Sequence, residues 1–310
     1  MYSFNQIINS AINSKLTRTI LTFSFSALVF VFSVGAAQAA TYTVTSTADT
    51  SGSTCAANCT LRQALTASYF DINAVINFNI SGGGVKTITP LSALPEVGHI
   101  TIDGTSQPGY SGTPLIELNG NSVNVNPSYG LVIKSTTTIR GLSINRFNTS
   151  GIYVATVVDG LGDPIPVNVT IKGNYIGTNA AGSAALGNGY GIFVDAYVGT
   201  VTIGGTGAND RNLISGNNLS GVDISGCAIS YPGIDASVKG NYIGTDVTGN
   251  IAVGNLSSGV FDECSDSTII GGTTAAERNV ISGNKGNAGI ELQGNDVTVQ
   301  GNYIGTNAAG

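Results

Sequence analysis

The sequence predicts an all-β fold, a parallel β-helix in which short strands stack coil upon coil beneath an N-terminal cap holding one short helix. The first observation is a repeated block: Asn174-Tyr175-Ile176-Gly177-Thr178 returns at Asn241-Tyr242-Ile243-Gly244-Thr245 and at Asn302-Tyr303-Ile304-Gly305-Thr306. The second is another block, Arg211-Asn212-Leu213-Ile214-Ser215-Gly216-Asn217, which returns at Arg278-Asn279-Val280-Ile281-Ser282-Gly283-Asn284. Both recur after 67 residues (241 minus 174, 278 minus 211), and the last interval is 61 (302 minus 241). The third is a column of glycines, Gly130, Gly151, Gly191, Gly221, Gly259 and Gly289, each opening a Gly-apolar-x-apolar segment.

The two blocks are versions of one pattern. Val169-Thr170-Ile171 and Val201-Thr202-Ile203 each alternate in period 2, then meet glycine, asparagine and an apolar pair. The unit is therefore about 30 residues, and 67 residues make a long–short pair. One unit cannot bury a face alone, and stacking units in parallel solves this. A propeller blade needs four antiparallel strands in a longer repeat, and the leucine spacing of a horseshoe is absent. Behind the glycine column, Leu131, Ile152, Ile192, Val222, Val260 and Ile290 share the interior with Ile133, Val154, Val194, Ile224, Asp262 and Leu292. Asp262 breaks this rule, and a bulge or an acid turned outward is expected there. Asn174, Asn212, Asn241, Asn279 and Asn302 align and are expected to form a side-chain ladder or to serve a turn, structural roles in either case.

Only 30 of 310 residues are charged (12 basic plus 18 acidic), while the apolar share is 42%. That balance excludes disorder and fits many short strands between glycine-rich turns. A net charge of −6 argues against nucleic acid and an anionic membrane surface as partners. Residues 1–39 read as a cleaved signal peptide, with Lys15 and Arg18 ahead of the apolar run Ile20 to Val34 and Ala37-Gln38-Ala39 as the cleavage pattern. The run is too short and interrupted for a transmembrane helix. Its removal leaves 10 basic against 18 acidic residues, or −8, on a secreted or cell-surface chain.

Residues 40–75 are expected to cap the solenoid, whose repeats fill 76–310. Thr41 to Thr45 alternates as a strand. Thr60-Leu61-Arg62-Gln63 is a capping box opening a helix to about Tyr69, with Leu61, Ala64, Leu65 and Tyr69 along one stripe. Val44 to Thr50 followed by Cys59-Thr60-Leu61-Arg62-Gln63-Ala64 resembles the Cys-Ser-Leu-Arg-Glu-Ala segment that precedes β-helices in large secreted or surface bacterial proteins. Thr60 and Gln63 depart from the name-giving residues but keep the capping box. Thr101 to Tyr110 and the Asn-Tyr-Ile-Gly-Thr and Ile-Ser-Gly-Asn repeats extend the resemblance over nearly the whole mature chain. It implies a right-handed β-helix of the pectate-lyase-like class and is almost silent about activity. The chain stops at Gly310 inside a unit, so further repeats or anchoring domains are expected beyond it.

Export permits disulfides. Cys55 with Cys59, and Cys227 with Cys264 from neighbouring coils, are the expected pairs, and no spacing matches a metal motif. Two residues after each glycine, the outward column reads Val132, Tyr153, Phe193, Asp223, Phe261 and Glu291. Four after come Lys134, Ala155, Asp195, Ser225, Glu263 and Gln293. Aromatic rings beside acids suit a polysaccharide face, with Tyr153, Phe193, Phe261, Glu263 and Glu291 as candidate contacts. Exposed strands also favour aromatics, and surface acids favour solubility. Asp195 and Asp223, from adjacent coils, are placed to share a calcium ion.

Two functions follow. One is a non-catalytic, adhesin-like extracellular scaffold, with polysaccharide or cell-surface components as partners and no cofactor. The other is a carbohydrate-active enzyme, a calcium-dependent polysaccharide lyase built on Asp195, Asp223 and Arg211 before a glycoside hydrolase. Bases recur in pairs (Lys172 with Lys239, Arg211 with Arg278), whereas an active site occurs once, and this favours the scaffold. Asp262, Glu263 and Asp266 are the densest acids but flank a cysteine in a turn; His99 reads as a turn residue before a strand. Gly204-Gly205 and Gly271-Gly272 lead into turns rather than helices, so they are not phosphate loops.

Overall fold

Alternating apolar residues in runs of three to six favour strands, and the glycine-rich turns between them let each strand pair with its counterpart one coil further along. A computed structural model describes residues 39–310 apart from 196, 198, 227–232, 264, 266 and 287. All but the last residue of the expected signal segment, both cysteines of the expected Cys227–Cys264 pair, and Asp266 therefore lie outside the described residues. The strands form three all-parallel sheets of nine, eight and six strands, here sheets A, B and C. From strand Ile100–Asp103 to strand Ile290–Leu292 the coils visit A, then B, then C: Val167–Lys172, Tyr175–Ile176 and Tyr190–Asp195 make one coil, and Gly199–Gly204, Leu213–Ile214 and Val222–Ile224 the next. This is a parallel β-helix solenoid.

The register follows the repeat. Val169, Thr170 and Ile171 pair with Val201, Thr202 and Ile203, and Ile192 and Val194 with Val222 and Ile224. The inward columns are buried from Ile133 through Ile224, each Val or Ile contributing about 1.5–3 kcal/mol by leaving water. Asp262 departs from expectation. It keeps the strand register, facing Ile224 on one side and Leu292 on the other, and its side chain is fully buried rather than bulged or outward. Ser265 makes this tolerable, its N–H (3.1 Å) and Oγ (2.7 Å) both donating to the carboxylate.

The asparagine column is a ladder. The Nδ2 groups of Asn174, Asn212, Asn241 and Asn279 each donate to the Oδ1 of the next member at 2.9–3.2 Å. Each also donates to a strand carbonyl one coil back, such as Ile171 from Asn212 and Ile203 from Asn241. A second ladder, Asn188, Asn217, Asn255 and Asn284, runs between sheets B and C at 2.8–3.1 Å. It explains the glycine column: a Cβ on Gly151, Gly191, Gly221 or Gly259 would lie 2.7–2.9 Å from one of these Nδ2 atoms.

The 67-residue period also has a physical cause. Long coils carry a hairpin after sheet B, closed by the antiparallel bridges Thr178–Ala185 and Thr245–Ala252. Short coils turn directly through Ser215-Gly216-Asn217 and Ser282-Gly283-Asn284. The hairpins reach over the short coils to one another, Val247 N–H donating to Gly182 C=O (2.9 Å) and Ala308 N–H to Gly249 C=O (3.0 Å).

At the N-terminal end, strand Thr41–Val44 pairs with Ala74–Phe78 at the edge of sheet A. The helix Leu61–Ser68 packs on both strands, and its capping box has Thr60 and Gln63 satisfying each other's backbone. Its buried stripe is Leu61, Ala64, Leu65 and Ser68. Tyr69, expected on that stripe, caps the helix and lies half exposed, because the chain already turns away there. Cys55 and Cys59 form a disulfide beside this helix. Among the described residues, no helix is long and apolar enough to cross a membrane.

Candidate functional site on sheet C

The outward columns of sheet C assemble as their spacing requires. Val132 pairs with Tyr153, Tyr153 with Phe193, Phe193 with Asp223, Asp223 with Phe261, and Phe261 with Glu291. The rings do not lie open. Tyr129, Tyr153, Phe193 and Tyr190 stack in succession with centroids 4.8, 5.5 and 5.1 Å apart and planes 12–19° from parallel. Their faces cover one another, so Tyr153 and Phe193, expected to stack on sugars, are occupied in joining coils. No ring stack among the described residues includes Phe261, which stands between Asp223 and Glu291 in register, with Glu263 just past the end of its strand Val260–Asp262.

Asp195 and Asp223 are both half of a hydroxyl pair. The Tyr153 hydroxyl donates to Asp195 Oδ2 (2.9 Å) from the neighbouring coil, and Ser225 Oγ donates to Asp223 Oδ1. Burial pushes the Asp195 carboxyl above its ordinary range, with the Tyr153 hydrogen bond opposing. Burial moves Asp223 further, to about 6; Ser225 and Ser220 oppose, and the charges of Glu263 and Glu291 add to the rise. Asp223 faces outward in register yet is only 5% exposed. In both cases burial disfavours the charged carboxylate. Among the described residues, no group of three or more Asp, Glu, His or Cys side chains is placed to hold a metal ion.

Arg211 is not brought to these acids. It precedes strand Leu213–Ile214 of sheet B, with its guanidinium 4.1 Å above the Tyr242 ring and Nε donating to Gly240 C=O (3.1 Å). Arg278 repeats the arrangement on Tyr303, at 4.3 Å and 2.8 Å to Gly301 C=O. The recurring lysines pair likewise: Lys172 with Asp210 (3.1 Å) and Lys239 with Glu277 (3.0 Å). Lys134, the one base in the two outward columns, is bound to Glu96 at 2.6 Å. Glu263 is exposed, and Glu291 Oε2 accepts from Ser258 Oγ (2.9 Å). His99 lies exposed in a bend just before strand Ile100–Asp103.

Sequence reasoning missed the second asparagine ladder and the ring stack. Gly187-Asn188, Gly216-Asn217, Gly254-Asn255 and Gly283-Asn284 carried the first signal. The second was legible in Tyr129, Tyr153, Tyr190 and Phe193 once the register was written out. No protein-family model matches the sequence, and no curated protein matches it.

Proposed function

We propose that the protein is a non-catalytic, exported scaffold, a right-handed β-helix of the pectate-lyase-like type, adhesin-like in role, whose sheet C face touches polysaccharide. The observation that carries this reading is the employment of the recurring bases. Lys172, Lys239, Arg211 and Arg278 each hold one coil or turn against another, and the single base in the outward columns of sheet C is engaged by Glu96. A lyase built on Asp195, Asp223 and Arg211 would need its base beside its acids, and these stand on different sheets.

The contact surface narrows to Phe261 with Glu263 and Glu291, where a ring lies between carboxylates able to accept hydrogen bonds from sugar hydroxyls. Affinity electrophoresis of the full chain through gels containing neutral or acidic polysaccharides tests this. Retarded migration that is lost in Phe261→Ala, without new reducing or unsaturated ends in the polymer, is the expected result. Chain cleavage that disappears in Asp223→Asn would replace the scaffold with an enzyme.

A further inference from the structure

A cleft on the far side of the coil, between sheets A and B, is built by two loops. The loop after strand Ile100–Asp103 is pinned by Gln107, whose side-chain amide exchanges hydrogen bonds with the backbone N–H (2.9 Å) and C=O (2.8 Å) of Ile80. It brings Tyr110 over the stacked column Asp103, Arg140 and Lys172. The turn 205–210 stands opposite, tied by Asp210 accepting from the N–H of Gly207 at 3.1 Å. Between them lies a cavity of about 300 Å³ lined by Thr105, Tyr110, Arg140, Lys172, Asn209 and Asp210. A smaller hollow of about 140 Å³ shares Asn209 and adds Tyr175, Arg211 and Tyr242.

Two polar atoms of the lining are buried without a hydrogen-bond partner in the protein, the Tyr110 hydroxyl and Arg140 Nε. Such atoms are costly unless something outside the chain satisfies them. Both can donate, and the acceptors nearby are already engaged. Asp103 accepts from Arg140 Nη2 (2.6 Å) and from the Thr105 N–H (3.0 Å), and Asp210 accepts from Lys172. Arg140 and Lys172 are thus each matched by one carboxylate, while Arg211, on the adjoining hollow, is in no ion pair among the described residues and lies over the Tyr242 ring. What the cleft lacks is an acceptor for the Tyr110 hydroxyl and Arg140 Nε. Thr105, Asn209 and Asp210 offer both donors and acceptors, which suits hydroxyl groups.

We propose that this cleft binds a small hydroxylated carboxylate, its oxygens taken by Arg140 Nε and the Tyr110 hydroxyl and its hydroxyls by the opposite wall. The proposal stands apart from the polysaccharide reading, because the two sites share no residue. Calorimetric titration of the full chain uses gluconate, acetate (the carboxylate without hydroxyls) and sorbitol (hydroxyls without the carboxylate). Gluconate is expected to bind, with acetate and sorbitol weaker by about tenfold or more, and Tyr110→Phe and Arg140→Lys each lowering gluconate affinity by about tenfold. Arg140→Lys keeps a cation beside Asp103 while removing the Nε donor. Should a variant fail to fold, the wild-type chain with labelled tyrosine decides: gluconate must move the Tyr110 resonance. No saturable heat with gluconate, variants that bind like the wild type, or a gluconate-soaked crystal holding only water in the cleft would each overturn the assignment.

Discussion

The side-chain amide of Asn241 donates to Asn279 Oδ1 at 3.1 Å one coil ahead, while its own Oδ1 accepts from Asn212 Nδ2 at 3.0 Å one coil behind. Its two amide hydrogens are shared among Asn279 Oδ1, Ile203 C=O and Lys239 C=O, so one fully buried side chain serves several backbone and side-chain groups. Asn241→Ala leaves these groups orphaned and is expected to cost about 3–5 kcal/mol. Asn302→Ala, at the partly exposed last rung, should cost about 1 kcal/mol. Urea denaturation of both variants checks the contrast, and equal losses would refute the ladder's graded role.

Gly221 has its substitution space taken. A Cβ there would lie 2.8 Å from Asn255 Nδ2 and 2.7 Å from Gly259 C=O. Gly221→Ala must push the ladder or the adjacent strand aside and is expected to cost about 2 kcal/mol. Gly83→Ala, where nothing lies within 4 Å, is the control and should change stability by less than about 0.5 kcal/mol. Melting curves of the two variants make the comparison.

Asp223 gives the fold a measurable pH slope. Its folded pKa of about 6 lies above the ordinary aspartate value, so the folded chain holds this proton more tightly than the unfolded chain. The contribution is fully present below the unfolded pKa and is lost as pH rises through about 6. The loss is on the order of 2–3 kcal/mol. Asp223→Asn keeps an acceptor for Ser225 and removes the charge, so it should be more stable than wild type at pH 7 and show no gain at pH 3. Denaturation across that range, taken as variant minus wild type, must fall towards zero on acidification. A flat difference would mean the carboxyl is better solvated than its 5% exposure indicates.

Ser265 is the partner that permits an acid inside the coil. Removing its hydroxyl leaves one oxygen of the buried Asp262 carboxylate unmatched, and Ser265→Ala is expected to cost about 2–3 kcal/mol. Asp262→Leu combined with Ser265→Ala restores an apolar column like Ile133, Val154, Val194 and Ile224 and should recover most of that loss. A double-mutant cycle by calorimetry reads the coupling directly.

The Cys55–Cys59 disulfide closes a short loop beside a buried cap, where Cys59 C=O accepts from both Thr45 N–H and Ser46 N–H. For so short a loop, chain entropy gives about 2 kcal/mol. Cys55→Ser/Cys59→Ala should therefore loosen the helix Leu61–Ser68 and the edge strand while leaving the central coils protected. Hydrogen exchange resolved by segment shows whether the loss is confined to the cap.

The coil architecture was legible because period-2 alternation and identical turns are local properties that stacking repeats. Asn174, Asn212, Asn241, Asn279 and Asn302 revealed their ladder through spacing alone. Tyr153 and Phe193 did not reveal their role, since whether a ring meets solvent or another ring depends on which coil lies beside it. Arg211 was misplaced for a related reason: sequence order brings it between Asp195 and Asp223, but the chain crosses to sheet B in that interval. Asp262 kept its column position against its charge, because the strand register is set by many neighbours and one serine met the carboxylate's need.

The hairpins that span the short coils make this a molecule that counts in twos. Deleting one coil would leave a hairpin facing another at half its usual separation, with Gly182 and Val247 no longer able to exchange their hydrogen bond. Deleting a long–short pair would return every hairpin to a matching neighbour. Changes of length by whole pairs preserve the outer layer, and changes by single coils sacrifice it even where the inner sheets still close. A shortened chain designed from this scaffold should therefore lose one long–short pair at a time, 67 residues or, for the last pair, 61.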